Sequence, residues 1–215
     1  MKVKWLGHAS FLITSDAGTR IVTDPYPLGN GLSYGEINEE ADVVTVSHDH
    51  FDHANVAAVG GSPRVVNETA PVEIGGVKFS GVASFHDASA GSERGPNVIY
   101  SMDIDGVRVC HLGDLGHPLS GQQVKDIGRV DVLLIPVGGF FTIDAKVASE
   151  VAGKLSPKVI IPMHFSNEKC QFPIGGVDDF LAGKDSVIRS GVSEAEFKVS
   201  GLPDTTEVVV LDPAL

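Results

Sequence analysis

The run Asp42-Val43-Val44-Thr45-Val46-Ser47-His48-Asp49-His50-Phe51-Asp52-His53 decides how this chain is read. Its first half is apolar and β-branched, so Ala41 to Ser47 is expected to form a buried strand. Its second half fits H-x-H-x-D-H and packs three imidazoles and two carboxylates into six residues. A solvated polar loop is a poor account of that cluster, because its imidazoles would repel one another on protonation. In an extended chain His48 and His50 project to one side while Asp52 and His53 point apart. One short segment can therefore offer two donors to one cation and two to a neighbour. Imidazole and carboxylate donors without thiolate suit zinc, manganese or iron.

Two more apolar runs, Asp131-Val132-Leu133-Leu134-Ile135 and Lys158-Val159-Ile160-Ile161, also lead into special residues, so several strand ends can converge on one site. The spread of these runs over both halves of the chain suggests two sheets face to face with helices outside. Upstream, Lys2 to Leu6, Phe11 to Thr14 and Arg20 to Thr23 read as short strands, the third stopped by Asp24-Pro25, with loop from Pro25 to Gly35. Downstream, Ala54 to Val59 reads as a short helix and Gly60-Gly61-Ser62-Pro63 as a break, followed by short strands from Arg64 to Ser84. Asp87 to Asn97 lacks any apolar pattern and is expected to be an exposed loop. Asp105-Gly106 marks a hairpin between Val98–Ile104 and Val107–Leu112. Ile143, Val147, Val151 and Leu155 recur every four residues, which predicts a helix from Ile143 to Leu155. A last helix is expected near Val177 to Leu181, and Glu207 to Leu211 as a closing strand.

Composition narrows the function classes. A length of 215 residues suits one domain spanning residues 1–215. The formal charge of −12 repels polyanions, so neither nucleic acid nor an anionic membrane is an expected partner, and a small-molecule substrate is. No apolar run approaches the ~20 residues that cross a bilayer, and the first residues carry no leader pattern, which points to the cytoplasm. Cys110 and Cys170 stand far apart and form no C-x-x-C pair, so buried, reduced thiols are expected.

With these residues in view, the chain resembles hydrolases of the metallo-β-lactamase fold, whose motifs occur in order over nearly its full length. Asp24 matches the first motif, His48 to His53 the second, and His86 in Ser84-Phe85-His86-Asp87 the third. Asp114 in His111-Leu112-Gly113-Asp114-Leu115 matches the fourth, and His164 in Pro162-Met163-His164-Phe165 the fifth. The resemblance implies an α/β fold, a four-layer αββα sandwich, with Asp24 structural. It implies two divalent transition-metal ions, zinc first and manganese or iron as alternatives. His48, His50 and His86 would hold one ion, Asp52, His53 and His164 the other, and Asp114 would bridge them. Trp5-Leu6-Gly7-His8-Ala9-Ser10 and Pro136-Val137-Gly138-Gly139 look more like the ascorbate-6-phosphate lactonase and N-acylphosphatidylethanolamine phospholipase D relatives than like true β-lactamases. Asp114 stands where many lactamases carry cysteine or serine.

The expected activity is cleavage of a small ester, lactone or phosphodiester by a hydroxide shared between the ions, with Asp52 orienting it or accepting its proton. An iron-bearing oxidoreductase on the same ligands and a non-catalytic metal-binding module are the alternatives. His8, His111 and His117 are read as supporting donors or solvated histidines, with His8 at the pocket edge, and Asp49 and Asp87 as supporting or surface carboxylates. Arg94 or Lys169 could hold a phosphate or carboxylate, and Phe140 with Phe141 could form a pocket wall. Substrate choice is expected in the loops Tyr26 to Tyr34, Asp87 to Asn97, Gly138 to Thr142 and Ser166 to Gly176.

Overall fold

Alternating burial in the first residues sets the first layer. In the computed structural model, which describes Met1–Leu215, β1 (Lys2–Gly7), β2 (Ser10–Thr14), β3 (Arg20–Thr23), β4 (Glu40–Thr45) and β5 (Gly60–Val66) lie side by side. The pairs from β1 to β3 are antiparallel, and those from β3 to β5 are parallel. Val3, Trp5, Phe11, Ile13, Ile21 and Val43 enter the larger core on one face, while Leu6, Leu12, Val22 and Val44 enter a smaller one on the other. That division follows from successive side chains pointing to opposite faces of a strand.

The remaining elements are β6 (Val72–Ile74), β7 (Val77–Phe85), β8 (Pro96–Ile104), β9 (Val107–His111), α1 (Gly121–Ile127) and β10 (Val132–Pro136). They continue with α2 (Ala145–Leu155), β11 (Val159–Met163), α3 (Asp178–Leu181), β12 (Val187–Arg189), β13 (Glu194–Glu196) and β14 (Glu207–Val210). β13 returns to β1, giving a six-stranded sheet in the order β13-β1-β2-β3-β4-β5. The second sheet has eight strands in the order β12-β14-β11-β10-β9-β8-β7-β6. Every residue of β10 and β11 is buried, and both are parallel to their neighbours, as expected for strands covered on two faces. The hairpin between β8 and β9 turns on Asp105 and Gly106, both at positive φ (52° and 80°), the geometry of a type I′ turn.

Two mixed sheets closing on one core with helices outside form the αββα sandwich. The helical layers are unequal. α2 buries Ala148, Val151 and Leu155 toward the core of the second sheet. Over the first sheet, Tyr26, Tyr34, Ile37 and Ile174 from two loops cover Leu6, Leu12 and Val22 instead. The helix expected at Ala54 to Val59 is only a 3₁₀ turn, Val56–Ala58. The chain has to be extended by Gly60, because Gly60 and Gly61 already pair with Glu40 and Ala41. For the same reason Gly60-Gly61-Ser62-Pro63 is no break but the start of an edge strand, where a proline is tolerated. Helix α1 was not expected, although Ser120 and Gln123 form the capping box that starts it. No helix is long and apolar enough to cross a membrane.

Candidate metal centre

One rim of the sandwich collects the chemistry-bearing residues, because each follows the end of a strand. His8 follows β1, Asp24 follows β3, His48 to His53 follow β4, His86 follows β7, Asp114 follows β9 and His164 follows β11. His8, Asp24 and His164 adopt positive φ (51°, 38° and 50°), a conformation that costs a non-glycine residue on the order of 1–3 kcal/mol. The surroundings hold it in place. The His8 carbonyl accepts from the Trp5 indole N–H at 3.0 Å and from the His164 backbone N–H at 3.2 Å, tying the two sheets together at the site. Gly113 carries φ +55°, and a Cβ there would meet Ser47 at 2.6 Å, so the turn that delivers Asp114 admits no side chain.

Hydrogen bonds fix which imidazole nitrogen faces inward. The Ser47 hydroxyl donates to Asp24 Oδ2 at 2.5 Å and so accepts from His48 Nδ1 at 2.9 Å, which leaves the His48 Nε2 lone pair free. His53 Nδ1 donates to Asp24 Oδ2 at 3.1 Å, turning its Nε2 the same way. Asp114 is held by its backbone N–H, which donates to Asn97 Oδ1 at 3.0 Å.

These side chains converge on a single carboxylate oxygen. Asp114 Oδ2 lies 3.2 Å from His86 Nε2, 3.3 Å from His53 Nε2, 3.3 Å from His164 Nε2 and 4.0 Å from His48 Nε2. A carboxylate oxygen accepts about two hydrogen bonds, so four imidazoles exceed what it can satisfy. His48 Nε2, His53 Nε2 and Asp114 Oδ1 are buried without any hydrogen-bond partner. Buried nitrogens and a carboxylate oxygen left without partners form a donor set that cations fit. The donors divide into two groups, His48, His50 and His86 in one, and His8, Asp52, His53 and His164 in the other, the offered atoms of each lying within 4.8 Å of one another.

Burial, then His53, pushes the His48 imidazole down to about 3, so it is a neutral donor. Burial opposes a charged His53, yet Asp114 and Asp24 outweigh it and hold that proton well above the usual range. Burial would likewise raise Asp114, but His164 and His53 keep its carboxyl well below the usual carboxylate range. For Asp52 too, burial is outweighed, here by the hydrogen bond from His8 and the charge of His53, and the group stays ionised. Burial and the neighbouring His164 drive His8 down to about 4.

A cavity of about 320 Å³ opens onto both groups, lined by His50, Asp52, His86, Asp114 and His164 with Phe51, Arg94, Phe141 and Phe172. A larger one, about 530 Å³, lies between α2 and the segment after Gly183, but it is lined by no histidine and only one carboxylate, Asp185, so it offers no comparable donor set.

The seven residues read from the sequence, His48, His50, Asp52, His53, His86, Asp114 and His164, all meet here. His8 joins them, its Nε2 3.1 Å from Asp52 Oδ2. The other histidines do not. His111 is buried and satisfied, Nε2 donating to the Ala9 carbonyl and Nδ1 accepting from Gly113 N–H, while His117 is tied up with Phe85 and Pro118 outside the cavity. Lys169 is spent on the Leu215 carbonyl at 2.5 Å and lies outside the cavity, so of the two cations only Arg94 reaches it. Phe141 lines the wall, whereas Phe140 is 66% exposed. Asp49 is exposed, and Asp87 is buried within its own loop. The sequence reading passes over Ser47 and Asn97, whose parts emerge only once β4, β8 and β9 are assembled, and over Phe172.

The Beta-lactamase superfamily domain matches residues 2–164. UPF0173 metal-dependent hydrolases of Archaeoglobus fulgidus and Pelotomaculum thermopropionicum are 31% and 33% identical over 196 and 195 residues, covering 77% of this chain and 84% and 85% of theirs. Among solved structures, a candidate Zn-dependent hydrolase of the metallo-beta-lactamase superfamily from Thermotoga maritima is 42% identical. It has a TM-score of 0.81, with 98% of this chain and 97% of that chain covered.

Proposed function

The chain belongs to the beta-lactamase superfamily and within it to the UPF0173 metal-dependent hydrolases, and from that premise we propose that it cleaves a small ester, lactone or phosphodiester at a dinuclear centre. The observation that carries this reading is the convergence of four imidazole Nε2 atoms on Asp114 Oδ2, two of them buried without a partner. His48, His50 and His86 would hold one ion, Asp52, His53 and His164 the second, and Asp114 both. When bound, two divalent ions acidify a water toward neutrality and polarise a carbonyl or phosphoryl oxygen. Without thiolate among the donors, zinc is the proposed metal, with manganese or iron accommodated by the same atoms.

The remaining steps belong to the protein. Asp52 lines the cavity and is ionised, and its Oδ2 is engaged by His8, which leaves its other oxygen to take the proton of the attacking water. Phe141 and Phe172 offer an apolar surface to the substrate and help to keep bulk water out. The Gly7-His8-Ala9-Ser10 and Pro136-Val137-Gly138-Gly139 segments support the lactonase and phospholipase D-like branch. Residues 1–215 are read as one domain, and the unpaired buried thiols of Cys110 and Cys170 suit a reducing cytoplasm.

The test is to strip the protein with a chelator, reload it with zinc, manganese or iron, and assay esters, lactones and phosphodiesters alongside a His50→Ala variant. Turnover should vanish on stripping, return with metal and collapse in the variant. Unchanged hydrolysis by His50→Ala would overturn the reading.

A further inference from the structure

Arg94 has a placement that the hydrolytic machinery does not use. The residue after His86 is Asp87, whose carboxylate sits inside its own loop and accepts four backbone N–H groups. Oδ1 accepts from Ser89 at 2.7 Å and Gly91 at 2.9 Å, and Oδ2 from Glu93 at 3.1 Å and Arg94 at 2.8 Å. A charged acceptor with four donors turns a stretch without apolar pattern into a fixed scaffold hung directly from His86. The same bonds turn the Asp87 carboxylate to the backbone, and it forms no ion pair with the Arg94 side chain.

The guanidinium makes no ion pair and no side-chain hydrogen bond within the protein. Its carbon lies 5.5 Å from the centroid of the Phe141 ring, and the residue lines the cavity of the metal donors. A chain with 28 acidic and 16 basic residues has carboxylates in surplus, so a cation left unpaired at that mouth stands out. From Phe141 the aromatic surface continues edge-on to Phe172 at 5.9 Å and from Phe172 to His8 at 5.6 Å, so the guanidinium and the donor cluster share one wall. Stacking on a ring leaves the edge of a guanidinium free to offer two parallel N–H groups, the fork that matches an oxyanion.

Resting on the hydrolase reading above, we propose that Arg94 and Phe141 form the specificity subsite, which recognises a carboxylate or phosphate oxyanion on a substrate whose apolar part lies along Phe141 and Phe172. The acidic field of the protein repels anions in general, and Arg94 reverses that repulsion at the mouth of the cavity.

The metal-loaded protein and its Arg94→Gln and Arg94→Lys variants are to be compared on 4-nitrophenyl hemisuccinate and the neutral methyl ester of that compound. Arg94→Gln should lower the ratio of kcat/KM, anionic over neutral, by about tenfold or more, and Arg94→Lys should recover only part of it. Calorimetric titration with benzoate and with phenylphosphonate gives a readout independent of turnover. Arg94→Gln should weaken one or both by about tenfold, and the probe that loses more identifies the oxyanion. If wild type hydrolyses neither ester, the ester form of the hydrolase reading fails, while weakened binding in the variant still supports the subsite. An unchanged ratio, or unchanged dissociation constants for both probes, overturns it.

Discussion

The two donor groups that meet at Asp114 are built to different standards. In the first, His48 alone has its second nitrogen anchored, through Ser47, while His86 Nδ1 is buried without a partner and His50 is only partly buried against the cavity. In the second, His164 Nδ1 is likewise buried without a partner, but Asp52, His53 and His164 are all buried, His53 is bonded directly to Asp24, Asp52 is bonded to His8, and a carboxylate belongs to the group itself. A ligand whose far side is fixed keeps its tautomer and aim before any cation arrives. On the proposed dinuclear reading the second group would therefore be the more rigid of the two, and the first, with His50 only partly buried, the more exchangeable, while both line the cavity. Titrating stripped protein with zinc should fill the two in sequence rather than together.

The largest effect should come from the residue the groups have in common. Asp114→Asn removes the carboxylate on which four imidazoles converge. Metal content measured by elemental analysis should fall below two ions per chain, and kcat/KM by on the order of a thousandfold or more. A variant that keeps both ions and its turnover would dissolve the comparison, since neither group would then depend on the shared oxygen. A smaller effect should separate the groups. Asp24 supports His53 directly and His48 through Ser47, so Asp24→Asn should weaken both ions, by about 10–100-fold. Ser47→Ala touches only the His48 side and should weaken one ion, leaving the other bound. Equal losses from the two variants would mean that the groups are not independent.

The sequence disclosed this site unevenly, and the reason is physical. His48 to His53 is legible because four donors sit within six residues, and the strand before them is a continuous apolar run. His86, Asp114 and His164 are lone residues whose meaning comes from order along the chain, so only the family resemblance brings them in. His8 is the hardest case. Nothing near it in sequence marks it as a partner of Asp52, 44 positions away, and the bond exists only because β1 and β4 end on the same rim. Fold features divide in the same way. The β8–β9 hairpin follows from two adjacent residues, whereas the strand at Gly60 depends on pairing with β4, which overrides the local turn signal. The capping box at Ser120 is a local signal that the reading passes over, because the segment it opens buries only Ile127.

His8 offers the finest test of the comparison, since it belongs to the second group by distance and has two possible uses there. Its Nε2 lies 3.1 Å from Asp52 Oδ2, while its Nδ1 is buried without a partner. As a donor to Asp52 it would aim the carboxylate, and as a ligand it would give the second ion another nitrogen. His8→Asn separates the two, because asparagine tolerates the positive φ of 51° at this position but is too short to reach Asp52 from the same backbone. A positioning role predicts that kcat falls about tenfold with KM held, that the second ion is bound less tightly by no more than about tenfold, and that the order of filling is kept. A ligand role predicts that the second ion leaves first and that the order of filling reverses. The rigidity assigned to the second group requires the former outcome, for a group that needs His8 to keep its ion is not the more rigid of the two.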